Sequence, residues 1–286
     1  METLLPDRLR ALWQSVERNE LTVETYTSEQ ERLLADYQKT WSQALLQEGY
    51  ADLPASLLAE LGGYVRCEDM AEIRLRCAQA VANVKQEWEA TVEPGNRRSV
   101  ELFYDETQAM LYELMWWHTL CDDSSPLAYV TALEFARQHG CRRYLDFGAG
   151  VGSGGILFAR HGLQVGLADI SSPLLRFTRW RLDRRELPAR YFDLKSCQLP
   201  RQAFDFITAM DVFEHLVDPA ETVAQLGDAL QPGGYLYARI AAESDEDRPQ
   251  HIVRDFGPTF ERLQACGFRE VWRDEWLWGH QVFQKA

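Results

Sequence analysis

The run from Arg143 to Ile170 constrains the fold more than any other part of the chain: Arg-Tyr-Leu-Asp-Phe-Gly-Ala-Gly-Val-Gly-Ser-Gly-Gly-Ile-Leu-Phe-Ala-Arg-His-Gly-Leu-Gln-Val-Gly-Leu-Ala-Asp-Ile. Tyr144 to Phe147 suits a short buried strand, and Gly148, Gly150 and Gly152 then alternate through a turn. Residues without Cβ let the backbone bend sharply there and approach a ligand. A helix from about Ser153 to His161 follows, Gly162 can close it in a left-handed conformation, and Leu163 to Ala168 forms a second strand tipped by Asp169. Strand, glycine turn, helix, strand and terminal carboxylate make a cradle for a nucleoside, with the acid on the ribose hydroxyls.

Asp146 stands directly before the first glycine, giving Asp-x-Gly-x-Gly-x-Gly, and no Lys-Ser/Thr pair follows as a phosphate loop requires. This pattern resembles the class I S-adenosylmethionine-dependent methyltransferases. The resemblance covers about residues 125 to 286. It implies S-adenosylmethionine as cofactor and S-adenosylhomocysteine as product.

The first 120 residues read as helical throughout. One face of the first helix, opened by Pro6, carries Leu9, Leu12, Trp13 and Val16; a second from about Ser28 to Gln47 carries Leu33, Leu34, Tyr37, Trp41 and Leu45. Pro54 begins a short third, Glu68 to Ala90 forms a long fourth, and Glu93-Pro-Gly-Asn is a turn. Ser99 to Leu120 reads as one further helix with more aromatic residues than a single core-facing stripe needs. Two readings stand: the helix is sandwiched between the helical part and the α/β part, or Tyr112, Trp116, Trp117 and His118 also line an acceptor pocket. By the family resemblance, Tyr104 covers the methionine end of the cofactor, where a ring gains cation–π attraction from a sulfonium. Asp122-Asp-Ser-Ser-Pro reads as linker and helix start, with Ser125 as N-cap. The domains are therefore expected at 1–121, an all-α cap, and 122–286, a methyltransferase domain.

Beyond Asp169 strands and helices alternate, which argues a parallel sheet. Strands are expected at 189–191, 203–210 and 235–240, and two more at 270–276 and 280–284 form an antiparallel hairpin. The predicted fold class is α/β, a Rossmann-like, mostly parallel seven-stranded sheet ending in that hairpin, with an N-terminal helical cap.

Open α/β sheets bind ligands outside the carboxyl ends of their strands. Asp146, Gly148, Ala149, Gly150 and Gly152 at the first tip are expected beneath the cofactor's amino acid and ribose. Asp169 should hold both ribose hydroxyls, with Ile170 against adenine. Asp193 and Leu194 match the family position whose carboxylate takes the adenine amino group. At the fourth tip, Met210-Asp-Val-Phe-Glu-His-Leu resembles the Glu-x-x-Glu-His-type segment of ubiquinone-pathway O-methyltransferases and, more distantly, of small-RNA 2′-O-methyltransferases. That resemblance favours O-methylation. It makes Asp211 a cofactor-binding candidate and Glu214, His215 and His251 catalytic ones. Three readings remain open: a general base at His215 or His251, a divalent metal on Asp211, Glu214, His215 and His251, or a purely structural Glu-His pair.

The formal charge of −14 repels phosphate backbones, so a nucleic-acid partner is not expected. Residues 1–120 hold 11 Lys/Arg against 21 Asp/Glu, leaving 19 against 23 in 121–286. Arg176, Arg179, Arg181, Arg184, Arg185 and Arg190 crowd one helix, read as a solvated face or an anion site. The six dispersed cysteines contain no Cys-x-x-Cys pair and read as reduced, mostly core residues. No 18-residue apolar run and no signal peptide is seen, so a cytoplasmic enzyme without a membrane partner is expected. The reading overall is methyl transfer to a small molecule or small peptide, with the oligomeric state open, a homodimer included. Two rivals are kept: an NAD(P)-dependent oxidoreductase, since Asp169 follows Gly152 by 17 residues, and a non-catalytic interaction module stabilised by its cofactor.

Overall fold

A computed structural model describes residues 3–93, 95–121, 123–242 and 247–286. Pro94 in the expected turn and Asp122 at the expected boundary lie outside the described residues. Helices α1 (Leu5–Glu17), α2 (Val23–Leu45), α3 (Leu53–Val65), α4 (Met70–Thr91), α5 (Arg97–Glu106) and α6 (Ala109–Met115) form the helical part. The expected single helix over 99–120 is in fact three pieces. It breaks at Thr107 and Gln108 between α5 and α6, and its end, Trp116–Leu120, is a π-helical turn. A π turn inserts an extra residue and so rotates the side chains beyond it about the helix axis, a feature common near functional sites.

The remainder alternates: α7 (Ala128–Gln138), β1 (Arg143–Phe147), α8 (Ser153–Arg160), β2 (Gln164–Asp169), α9 (Ser172–Asp183), β3 (Ala189–Asp193), β4 (Phe204–Ala209), α10 (Pro219–Ala229), β5 (Leu230–Ala238), α11 (Gly257–Ala265), β6 (Phe268–Arg273) and β7 (Gln281–Lys285). These strands form one seven-stranded sheet in the order β3-β2-β1-β4-β5-β7-β6, parallel except that β7 runs antiparallel to both β5 and β6. The fold class is therefore the one expected. The turn expected at Gln231-Pro-Gly-Gly is instead absorbed into the start of β5, through an irregularity opposite Phe204 and Phe206. Ser125, expected to cap α7, makes no cap bond; it lies in a 3-10 turn, Ser125–Leu127, and its N–H donates to the Asp123 carboxylate at 2.7 Å.

Alternation along the strands sends side chains to two cores. Tyr144 and Phe206 face α7, α8, α9 and the helical part, while Leu145, Phe147 and Ile207 face α10 and α11. Trp41 of α2 illustrates the first junction: it is buried, its ring stacks 5.8 Å from Tyr129 of α7, and its indole N–H donates to the His118 carbonyl at 3.0 Å.

The arginine-rich stretch in and after α9 is only in part the solvated face expected: Arg176, Arg179, Arg184 and Arg190 are exposed, while Arg181 and Arg185 turn inward to a carboxylate. Arg181 is fully buried; its Nε donates to the buried Glu60 carboxylate of α3 at 3.0 Å, and its Nη1 to the Val151 carbonyl at 2.5 Å. Arg185 closes on the same carboxylate and donates to the Leu45 carbonyl at 2.9 Å. Arg179 and Arg184 lie over Tyr191 and Trp180 at 4.5 and 4.8 Å, and Arg190 over Phe192 at 5.2 Å, all in cation–π range. The six cysteines are free thiols, but only Cys77 is a buried core residue; Cys197 is exposed and the other four are half-buried. Among the described residues no helix is long and apolar enough to cross a membrane.

Candidate functional site

A cavity of ≈ 440 Å³ opens at the carboxyl ends of the parallel strands, within the range of small-molecule sites. Its floor is the glycine loop. Gly148 and Gly150 line it with φ of +73° and +52°. A Cβ on Gly148 would come within 2.4 Å of Val212, and one on Gly150 within 2.9 Å of Leu114. Both positions therefore need glycine for conformation, and Gly148 for space as well.

Asp169 ends β2 at the cavity, 7% exposed, and its two oxygens accept from Gly150 N and Ser171 N, each at 2.8 Å. Burial raises its pKa while those backbone N–H groups pull the other way. Ala149, Ile170 and Leu194 line the cavity beside it. Asp146 does not: it is fully buried behind the loop, with one oxygen accepting from Thr208 Oγ1 at 3.1 Å and the other without a hydrogen bond. Burial pushes its carboxyl up to about 7. Gly152 also sits outside the cavity, pressed on Thr178, where a Cβ would approach to 2.4 Å.

Asp193, expected at the adenine, turns away. One carboxylate oxygen accepts from Ser172 Oγ at 2.6 Å and the other pairs with Lys195 at 3.4 Å. The sequence spacing from Asp169 could not reveal those two competing partners.

The opposite side is built by the helical part. Met110, Glu113, Leu114 and Trp117 line the cavity at the i, i+3, i+4, i+7 spacing of one helix face. Tyr112 and Trp116, expected at the acceptor, lie on another face. Tyr112 Oη accepts from Arg76 Nη1 at 3.1 Å, and neither ring lines the cavity. Trp117 and His118 do line it, His118 being brought round by the π turn. Tyr104 lines it as well, and its own carbonyl accepts from Ser171 Oγ at 2.7 Å beside Asp169.

Near the β4 tip, Glu214, His215 and His251 also border the cavity and offer ligand atoms that all lie within 4.8 Å of one another. The two imidazoles meet edge to face, 4.8 Å between centroids. His215 Nδ1 lies 3.2 Å from the Gln250 carbonyl and 3.3 Å from Tyr104 Oη. Burial first, and His251 second, press the His215 pKa down to about 3. Asp211, the expected fourth member of a metal set, is outside that group. Its φ is +48° and it pairs with Arg239 at 3.7 Å.

Sequence reasoning missed Glu113, Arg239, Gln250, Trp278 and His280, all on the cavity wall. Arg239 could have been found, since it directly follows β5, where strand-end logic already pointed. The others come from a helix face, a loop and the β6–β7 connection, whose positions are set by tertiary packing.

A family model described as "Methyltransferase domain" matches residues 125–281. Curated relatives include a ubiquinone biosynthesis O-methyltransferase of Aromatoleum aromaticum, 32% identical over 133 residues, covering 43% of this chain and 55% of the relative. The Coxiella burnetii enzyme of the same name is 30% identical over 98 residues, 34% of this chain and 42% of its own. The chain thus spans about half the length of the curated relatives it matches. Among solved structures, a phosphoethanolamine N-methyltransferase from Haemonchus contortus in complex with S-adenosyl-L-methionine overlaps 59% of this chain and 44% of its own, at 22% identity and a TM-score of 0.47. With the match spanning the whole strand-and-helix alternation up to β7, the chain belongs to the methyltransferase domain family.

Proposed function

We propose that this protein transfers a methyl group from S-adenosylmethionine to a small acceptor molecule, with an oxygen atom as the methylated position. The observation that carries the reading is that one cavity holds both halves of the chemistry: the glycine cradle with Asp169, and the His215–His251 pair under an aromatic wall. The residues present fit the donor, since the backbone at Gly148 and Gly150 is bare where a ligand must approach and a buried carboxylate faces the same space. Once bound, the donor brings a methyl group on a positively charged sulfur, already activated for transfer. Asp169 takes the ribose hydroxyls, Tyr104 covers the methionine end, and Leu194 with Ile170 forms the apolar slot for adenine.

What the chain must add is alignment, exclusion of water and removal of one proton. The Gln250 carbonyl can only accept, so it favours the Nδ1–H tautomer of His215 and leaves the Nε2 lone pair for the acceptor's proton. Burial keeps that ring neutral throughout the physiological range, which leaves the lone pair in place but makes the imidazole a weak base. The cap, taken as residues 1–121, limits the acceptor to small molecules because α6 and the π turn close one side of the cavity. The formal charge of −14 argues against nucleic acid.

Isothermal titration tests the reading directly. S-adenosylhomocysteine should bind, and Asp169→Ala should weaken it on the order of 100-fold, the loss of two charge-assisted hydrogen bonds. Heat with NADH and none with S-adenosylhomocysteine would refute it.

A further inference from the structure

Against the helical part, where Trp276 donates to Tyr26 Oη at 3.1 Å, the connection between β6 and β7 is organised by one side chain. Asp274, 2% exposed, accepts from the backbone N–H of Trp276, Leu277 and Trp278 at 2.9, 2.8 and 2.8 Å. Its own N–H donates to the His280 carbonyl at 2.7 Å, and Gly279 between them has a φ of +77°. This tight turn delivers Leu277, Trp278 and His280 to the cavity wall. His280 is 2% exposed, its ring lies 5.3 Å from Tyr237, and neither ring nitrogen has a hydrogen-bond partner. Buried polar atoms are nearly always paired, and leaving them idle costs about 1–3 kcal/mol each. A ring with two idle nitrogens at the edge of a ligand cavity is arranged for something that arrives there.

Its neighbour narrows what that is. Arg239 lines the same cavity, and its Nε would lie 3.9 Å from a Cβ placed on Gly279. A guanidinium only donates, in a planar fork that matches a carboxylate. Burial holds His280 neutral, with its pKa pushed down to about 3; the Asp274 carboxylate pulls the other way and Arg239 adds to the lowering, so the imidazole offers one N–H as a neutral ring. Asp211, 3.7 Å from Arg239, disfavours a dianion such as a phosphate ester but tolerates a single negative charge. The Trp278 indole and the Tyr104 ring supply flat apolar faces in the same space, while Arg248 lies over the Trp117 ring at 4.6 Å.

We propose that Arg239 and His280 anchor a single carboxylate on an aromatic methyl acceptor. The anchor rests on the methyl-transfer reading, and one set of titrations separates the two. Protein saturated with S-adenosylhomocysteine is titrated with benzoate and with its neutral isostere benzamide. Benzoate should bind at least about 10-fold more tightly, the equivalent of one charge-assisted hydrogen bond. His280→Phe keeps the ring packed on Tyr237 and removes both nitrogens. Arg239→Met removes the fork. Each should weaken benzoate about 10-fold and leave S-adenosylhomocysteine affinity as in the parent, which also reports that the variant is folded. Equal affinity for benzoate and benzamide, no benzoate heat on protein that binds S-adenosylhomocysteine, or parental benzoate affinity in His280→Phe would each overturn the anchor. Failure of S-adenosylhomocysteine itself to bind overturns the methyl-donor reading instead.

Discussion

His118, His215 and His280 of the cavity wall are each held neutral, burial being the first cause, with pKa values of about 3. In the unfolded chain such rings take up protons from about pH 6.5 downward. Each therefore contributes stability that is complete above pH 6.5 and is lost as pH falls toward 3, because the unfolded state binds more protons in that window. Asp146 and Glu113 act with the opposite sign: burial raises both to about 7, so the stability they withhold at neutral pH returns on acidification. The net acid response of the parent protein thus mixes two opposed sets, and a single-site variant separates them. His280→Phe deletes one proton uptake, so its melting temperature relative to the parent should stay level down to about pH 7 and rise from there to about pH 5. A difference that stays flat across that range means His280 is already protonated or paired in the folded protein.

Among the elements, the β1–α8 turn is the one whose chemistry was most legible in sequence. Backbone that must adopt positive φ and pass close to a neighbour selects glycine locally, so Gly148, Gly150 and Gly152 announce themselves without tertiary context. Gly148→Ala should then destabilise by about 1–3 kcal/mol from backbone strain alone, with Val212 crowding adding to it; the denaturant midpoint measures the loss, and a parental midpoint would mean the loop has another path. The alternation of strands and the closing hairpin were legible for the same reason, being local patterns. The illegible features were set by partners distant in sequence. Asp193 fits a nucleotide site by spacing but is claimed by Ser172 and Lys195. Tyr112 and Trp116 looked like pocket residues by type, and which face of α6 meets the cavity is decided by packing. His280 looked like an ordinary strand residue because nothing in its neighbours betrays the turn that Asp274 organises.

For the molecule as a whole, the junction between the helical part and the sheet is ionic at its centre. Glu60 of α3 receives Arg181 of α9 and Arg185 just beyond its end, all three side chains essentially without solvent. Removing one member of such a group leaves charge stranded, a loss of about 3–5 kcal/mol. Glu60→Leu should therefore lower the unfolding free energy by about that amount, read from urea denaturation; a loss under about 1 kcal/mol would mean the cations find other partners. Arg181 also holds the Val151 carbonyl at 2.5 Å, in the middle of the glycine turn, so the posture of the donor cradle is braced from the far half of the chain. This bears on how the gene can be recombined. The helical segment is no interchangeable cassette: any graft of another helical head onto residues 122–286 must bring its own carboxylate to the place of Glu60, or the recipient inherits two orphan guanidinium groups inside an oily seam.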